Sequence, residues 1–186
     1  MPKVEGGRLN KVERRTRNSL LQFVHPMNHI WSPWRMEYIE SHKEEGCVFC
    51  SAQEKEDGAE NLIAFRGERA YVILNRYPYT SGHLMVVPLD HKPNLEELDP
   101  RTRAEMMELV TRCMIALRKI YHPEAFNMGA NIGESAGAGV KSHVHIHIVP
   151  RWAGDTNFMT VVGDVRILPE SLERTYERVK RAFLEG

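Results

Sequence analysis

Residues 143–149 read His-Val-His-Ile-His-Ile-Val, polar and apolar in strict alternation. A period of two marks a β-strand, because successive side chains leave a strand on opposite faces. Val144, Ile146 and Ile148 then point into a core, and His143, His145 and His147 share the other face, with successive Cα atoms about 6.6 Å apart. The chain is long enough to build that core. At 186 residues one domain with appendages is expected, and a domain of this size buries about 70% of its unfolded surface without needing disulfides.

Around this strand the sequence alternates short apolar runs with turn residues. Residues 62–65, 70–74 and 83–88 read as strands, with the Asn, Pro and Gly of 75–82 as a connecting loop. Asp99-Pro100 is a helix start, a capping side chain followed by proline at the first helical position. Met106, Val110, Cys113, Leu117 and Ile120 recur at helical spacing behind it, which predicts a helix over 100–121. Residues 126–132 read as a strand, 133–139 as a glycine-rich loop and 169–184 as a closing helix. The pattern is α+β: a mostly antiparallel sheet carrying one long helix, with an N-terminal helical extension and a C-terminal helix. Residues 1–30 form a basic extension, with Leu20, Leu21 and Phe23 as docking points, and 31–186 form the domain. The aromatics of Trp31-Ser-Pro-Trp-Arg-Met-Glu-Tyr38 suggest a segment packed against it.

The chain carries 25 Lys+Arg against 25 Asp+Glu, which argues against a protein that holds nucleic acid by broad phosphate neutralisation. The charges are segregated: residues 1–35 sum to +5 and residues 36–60 to −6. No apolar run approaches the ~18 residues of a membrane span, and no apolar signal core follows the basic N-terminus. Three cysteines without a paired framework suit a reducing cytoplasm.

Two chemistries fit a row of three imidazoles. The row could bind a metal, imidazole being a common zinc ligand, or one ring could act as a nucleophile that its neighbours orient. The preceding loop, Gly133-Glu-Ser-Ala-Gly137-Ala-Gly139, offers unobstructed backbone N–H groups of the kind that suit phosphate oxygens. A glycine loop feeding a histidine strand suggests phosphoryl or nucleotidyl chemistry. Separately, Cys47-x-x-Cys50 has the spacing with which two thiolates grip one tetrahedral ion, and it also fits redox activity or coincidence. Cys113 lies on the apolar helix stripe and reads as a small core residue. His83 opens a buried strand and reads as either core or site-lining, with core favoured. His25, His29, His42 and His122 sit in polar or loop contexts with no assigned role.

The strand resembles the signature of the histidine triad superfamily, His-φ-His-φ-His-φ-φ. Leu74-Asn-Arg-Tyr-Pro-Tyr79, Gly82-His-Leu-Met-Val-Val-Pro88, Asn131-Ile-Gly133, Ala136-Gly-Ala-Gly-Val140 and Pro150-Arg-Trp-Ala-Gly-Asp-Thr-Asn-Phe158 are similar to the diadenosine tetraphosphate phosphorylase, or ATP adenylyltransferase, branch. The resemblance runs from about Trp31 to the C-terminus and leaves residues 1–30 uncovered. It implies an enzyme in which His145 attacks the α-phosphorus of a dinucleoside polyphosphate, forming a nucleotidyl-histidine. His147 would bond the scissile or a non-bridging oxygen, and His143 would orient its neighbour through its backbone carbonyl. The acceptor would be phosphate in a phosphorylase or water in a hydrolase. Asn75 matches the ribose-contacting position. Asn131, Gly137, Ala138 and Gly139 would line the phosphate site, and Trp152 would either stack on a base or pack structurally.

The resemblance also bears on the cysteines. In the related galactose-1-phosphate uridylyltransferase, two Cys join a distant His and the first triad histidine. Carried over, Cys47, Cys50, His91 and His143 would hold a structural zinc, a closed Cys₂His₂ set. The family further implies a homodimer. Gly139 and Val140 stand where many relatives have Gln, Ser or Thr, and Ser142 where the branch is often acidic; these departures bear on acceptor and leaving group. A competing reading has His143, His145 and His147 jointly holding a catalytic zinc that activates water.

Overall fold

The computed structural model describes residues 46–155 and 168–185. The basic extension 1–30, the Trp31–Tyr38 segment and residues 156–158 of the C-terminal motif lie outside them. The described elements run α1 (Val48–Gln53), β1 (Ile63–Arg66), β2 (Ala70–Leu74), β3 (Leu84–Pro88), α2 (Pro100–Tyr121), β4 (Ala125–Gly129), β5 (Ile146–Arg151) and α3 (Leu172–Leu184). Short 3₁₀ turns at Leu95–Glu97 and Glu134–Ala136 interrupt the loops.

The five strands form one sheet in the order β1-β2-β3-β5-β4, every neighbouring pair antiparallel. This is the expected α+β architecture. Every residue of β2 and β3 is buried, which is why both read as continuous apolar runs. Helix α2 covers the sheet through Met106, Leu109, Val110, Cys113, Ala116 and Leu117, a stripe at spacings of three and four. Each large side chain of that stripe contributes about 1.5–3 kcal/mol on burial, so Leu117→Ala would cost about 2–5 kcal/mol. The helix starts where expected: the Asp99 carboxylate accepts the Arg101 N–H at 2.8 Å, with Pro100 behind it. It stops at His122, which adopts the left-handed conformation at φ 47°. Helix α3 packs on α2 and β1, its Phe183 stacked 5.3 Å from Phe65, and the Arg112 guanidinium lies 4.1 Å from the Phe65 ring centre.

Five boundaries differ from the sequence reading. Strand β1 occupies 63–66 rather than 62–65, β3 occupies 84–88 rather than 83–88, and β4 occupies 125–129 rather than 126–132. Helix α3 starts three residues late because Ser171 caps it, its hydroxyl accepting the Arg174 N–H. The histidine strand pairs over 146–151, not 143–149. Residues 143–145 precede the ladder, and there Val144 donates its N–H to the Lys92 carbonyl at 2.7 Å. The expected two-faced alternation therefore holds only in part. Val144 and Ile148 are buried and Ile146 half-buried, but His143 and His145 are buried as well.

Candidate active site and metal centre

The three histidines leave the strand beside three different neighbours, and each neighbour fixes one ring nitrogen. His143 is fully buried, and its Nε2 lies 2.9 Å from the Pro88 carbonyl. A carbonyl only accepts, so Nε2 carries the proton and Nδ1 presents its lone pair. That lone pair faces Cys47 Sγ at 3.4 Å and Cys50 Sγ at 3.7 Å. His91 Nδ1 closes the group at 3.2 Å from Cys50 Sγ. All four ligand atoms lie within 4.8 Å of one another. Burial, with the neighbouring Cys47 second, pushes the Cys50 thiol up to about 11. Two sulfurs and two imidazole nitrogens are the donor set of a closed tetrahedral zinc site, and the bond from His143 Nε2–H to a carbonyl is the support such a ligand ordinarily has. The four residues fit a metal.

His145 repeats the logic two residues on. Its Nδ1 lies 2.9 Å from the His143 carbonyl oxygen, so Nδ1–H donates and Nε2 keeps the lone pair. Burial lowers its proton affinity below the ordinary histidine value, with the carbonyl bond opposing, so the ring is neutral near pH 7. The ring of Phe49, one of the two residues between the cysteines, packs 4.8 Å from His145 and 5.5 Å from His143. Tyr71 holds Phe49 in place by donating its hydroxyl to the Phe49 carbonyl at 3.0 Å.

His147 is oriented by His83, for which the sequence leaves both core and site-lining open. His83 is buried, as expected, but its Nε2 lies 3.0 Å from His147 Nδ1. The Tyr79 N–H donates to His83 Nδ1 at 3.1 Å, which leaves the His83 proton on Nε2, donated to His147. His147 therefore carries its own proton on Nε2. Gly82 sets up this relay: it takes φ 81°, and a Cβ there would fall 2.9 Å from Leu117. A histidine beside a glycine on a buried strand was the only sequence signal available for His83. The three triad imidazoles thus turn to three separate partners, which is not the arrangement of one catalytic metal held by all of them.

His147 opens onto a cleft of 1130 Å³ whose walls include Tyr79, Asn131, Trp152 and Arg174. The indole N–H of Trp152 donates to the Tyr121 carbonyl at 3.2 Å, fixing the ring at the cleft wall. Asn131 donates to the Gly137 carbonyl at 3.4 Å. Asn75 accepts the Tyr77 N–H at 2.9 Å and sits 3.5 Å from His83, away from the cleft lining. The glycine loop is less open than its composition suggests. The amides of Ala136, Gly137 and Ala138 bond to the carbonyls of Gly133, Glu134 and Gly133 within the loop itself. Gly139 is exposed at its far end.

The HIT domain profile matches residues 57–154. The chain belongs to the HIT family. It shares that family's nucleotide-processing character, and similar proteins narrow the comparison. It is 35% identical over 158 residues to the AP-4-A phosphorylase of Mycobacterium tuberculosis, covering 80% of each chain. It is 32% identical over 139 residues to an uncharacterized HIT-like protein of Saccharolobus solfataricus, covering 75% of this chain and 96% of that one. Among solved structures, a zinc-bound histidine triad protein from Mycobacterium smegmatis superposes with a TM-score of 0.61 at 29% identity, over 75% of this chain and 94% of that one. The expected HIT fold is therefore present. Among the described residues, no helix is long and apolar enough to cross a membrane.

Proposed function

We propose that the protein is a dinucleoside polyphosphate phosphorylase working through a nucleotidyl-histidine. The observation that carries this reading is the 2.9 Å bond from His145 Nδ1 to the His143 carbonyl, which leaves Nε2 as the nucleophilic nitrogen of a neutral ring. In the first step His145 Nε2 bonds to an α-phosphorus. The bond to the bridging oxygen breaks, and its electron pair leaves with the distal nucleotide. His147 Nε2–H stabilises the oxygen on which that charge develops, held in this tautomer by His83. In the second step an oxygen of inorganic phosphate attacks the same phosphorus and the electron pair of the P–N bond returns to His145. Diadenosine tetraphosphate and phosphate become ATP and ADP, with one proton released. Dividing one displacement between two in-line steps lowers each barrier. Similarity to an AP-4-A phosphorylase supports both the substrate class and phosphate as acceptor. Asn75 would meet the ribose; Asn131, Gly137, Ala138 and Gly139 would frame the phosphates; and Trp152 would bound the nucleotide.

A zinc ion held by Cys47, Cys50, His91 and His143 has a structural role in this reading. It ties α1 to the strand and fixes the carbonyl that orients His145. A second copy of the chain would cover the outer edge of β4, where Met128 and Ile132 are exposed. Free thiols at Cys47, Cys50 and Cys113 suit a reducing cytoplasm.

The test is to incubate the protein with diadenosine tetraphosphate, with and without phosphate, and identify products by mass. ATP with ADP only when phosphate is present, together with an adenylyl group on His145, is the expected result. ATP with AMP regardless of phosphate would make it a hydrolase, and no adduct on quenching would remove the covalent mechanism.

A further inference from the structure

The cleft beside His147 is larger than one reacting phosphate requires. Its 1130 Å³ exceeds the range of about 300–1,000 Å³ typical of small-molecule sites. From His147 and Asn131 it runs past Tyr121 and Trp152 to the first turns of α3, where Arg174 and Arg178 line it. Both arginines pair with one carboxylate: Arg178 Nη1 lies 2.9 Å and Arg174 Nε 3.3 Å from the same Glu170 oxygen. The other cleft acid, Asp155, is engaged by Arg151 at 2.5 Å. Among the described residues this end of the cleft therefore has a surplus of positive charge.

Of the two arginines, Arg178 is held in a fixed geometry. Arg178 also donates to the Ile120 carbonyl, and its guanidinium lies 4.5 Å from the centre of the Tyr121 ring. The Tyr121 hydroxyl and the Thr175 hydroxyl both donate to the second Glu170 oxygen, which anchors that carboxylate beneath the two arginines. Arg174 reaches outward, its side chain 75% exposed. A guanidinium held this way offers paired donors that match phosphate oxygens.

The side of the reaction this end serves follows from His147. A proton donor to the leaving oxygen stands on the side toward which the leaving group departs, and His147 lines this cleft whereas His145 and Asn75 do not. We propose that the α3 end of the cleft binds the distal phosphates of the leaving nucleotide, so that Arg174 and Arg178 select long polyphosphate chains. This rests on the nucleotidyl-histidine reading. As the bond between phosphorus and the bridging oxygen breaks, one unit of negative charge develops on the departing chain, and the two arginines stabilise it.

The experiment compares Arg174→Gln with wild type on two substrates that present the same adenylyl group, diadenosine tetraphosphate and adenosine 5′-phosphoramidate. The second has no distal phosphates. The variant should lose about tenfold more in kcat/KM on the tetraphosphate than on the phosphoramidate, and Arg174→Lys should recover most of it. Calorimetric titration with ATP and with AMP reads the subsite without turnover: ATP should bind more tightly than AMP to wild type, and Arg174→Gln should shrink that advantage about tenfold. Equal losses on both substrates, no loss on either, or an unchanged preference for ATP would each overturn the proposal. A wild type that forms no adenylate on His145 but keeps an ATP preference dependent on Arg174 would instead sink the mechanism and leave the subsite standing.

Discussion

His143 and His147 are four residues apart on the same chain segment, yet their surroundings differ. His143 is sealed among two thiols, an imidazole and the Phe49 ring, its far nitrogen bonded to a backbone carbonyl. His147 sits at the mouth of a wide cleft, its near nitrogen accepting a hydrogen bond from His83. In the closed end the partner is an acceptor, so the ring presents a lone pair toward the sulfurs. In the open end the partner is a donor, so the ring presents a proton toward the cleft. One residue type is thus set to two opposite tasks by which nitrogen its neighbour engages. His145, between them, follows the closed end: its Nδ1–H donates to a carbonyl, and its other nitrogen keeps the lone pair that the proposed mechanism uses.

The sharpest way to break this contrast is at the middle ring. His145→Ala should lower turnover by at least ~10³-fold and abolish the adenylyl adduct, with the melting temperature changed by only a few degrees; product assay and intact mass read both. The next effect separates the two ends. His83→Gln should cut kcat by about 10–100-fold, because His147 loses the donor that fixes its tautomer. Metal content, measured by elemental analysis, should stay at the wild-type level, and a matching loss of metal would mean the two ends are not separable. The reverse substitution, Cys47→Ser, should lose bound zinc and about 3 kcal/mol of stability, a fall of about 6–12 °C in Tm. Wild type treated with a chelator should fall by a similar amount, and an unchanged melting curve in both would remove the structural metal.

Much of this contrast was legible beforehand, and the reasons for what was not are local. Strand β2 and helix α2 were read to the residue because Ala70–Leu74 is an uninterrupted apolar run and Asp99-Pro100 is an unambiguous cap. The four ligand positions at the closed end came from the family resemblance together with the Cys47-x-x-Cys50 spacing, and the structure gathers them. The open end was harder. His83 and His147 are 64 positions apart, and nothing in the spacing of either announces a shared proton. The glycine loop was read as a set of available amides, but Gly137 takes φ 81° so that the loop can bond to itself. A glycine permits that conformation as readily as it permits close approach of a phosphate, and sequence does not distinguish the two.

The smallest expected effect concerns the cleft alone. Burial works against the charge on Glu170, but the bonds from Tyr121, Arg178 and Thr175 outweigh it and hold the carboxyl below its ordinary 4.5. A lowered folded value means that this carboxylate's stabilisation is complete above the ordinary value and disappears as pH falls through the folded one. Glu170→Gln should therefore flatten the acid limb of the stability curve, and the pH-dependent part of its difference from wild type should end once the Glu170 carboxyl is neutral in the folded protein. Thermal melts across that range check the sign.

Among the described residues strand β5 is the last in sequence, but it lies between β3 and β4 in the sheet. A chain synthesised only as far as residue 145 can pair β1, β2 and β3, but it leaves the edges of β3 and β4 without the strand that joins them. Unpaired edges of this kind recruit other chains, and pairings between residues far apart in sequence form slowly. Arrival of β5 is therefore the event that closes the sheet. Partly folded forms with a finished sheet and an unpaired β5 are excluded by the topology, so a population assayed for an intact sheet is also assayed for a seated His147.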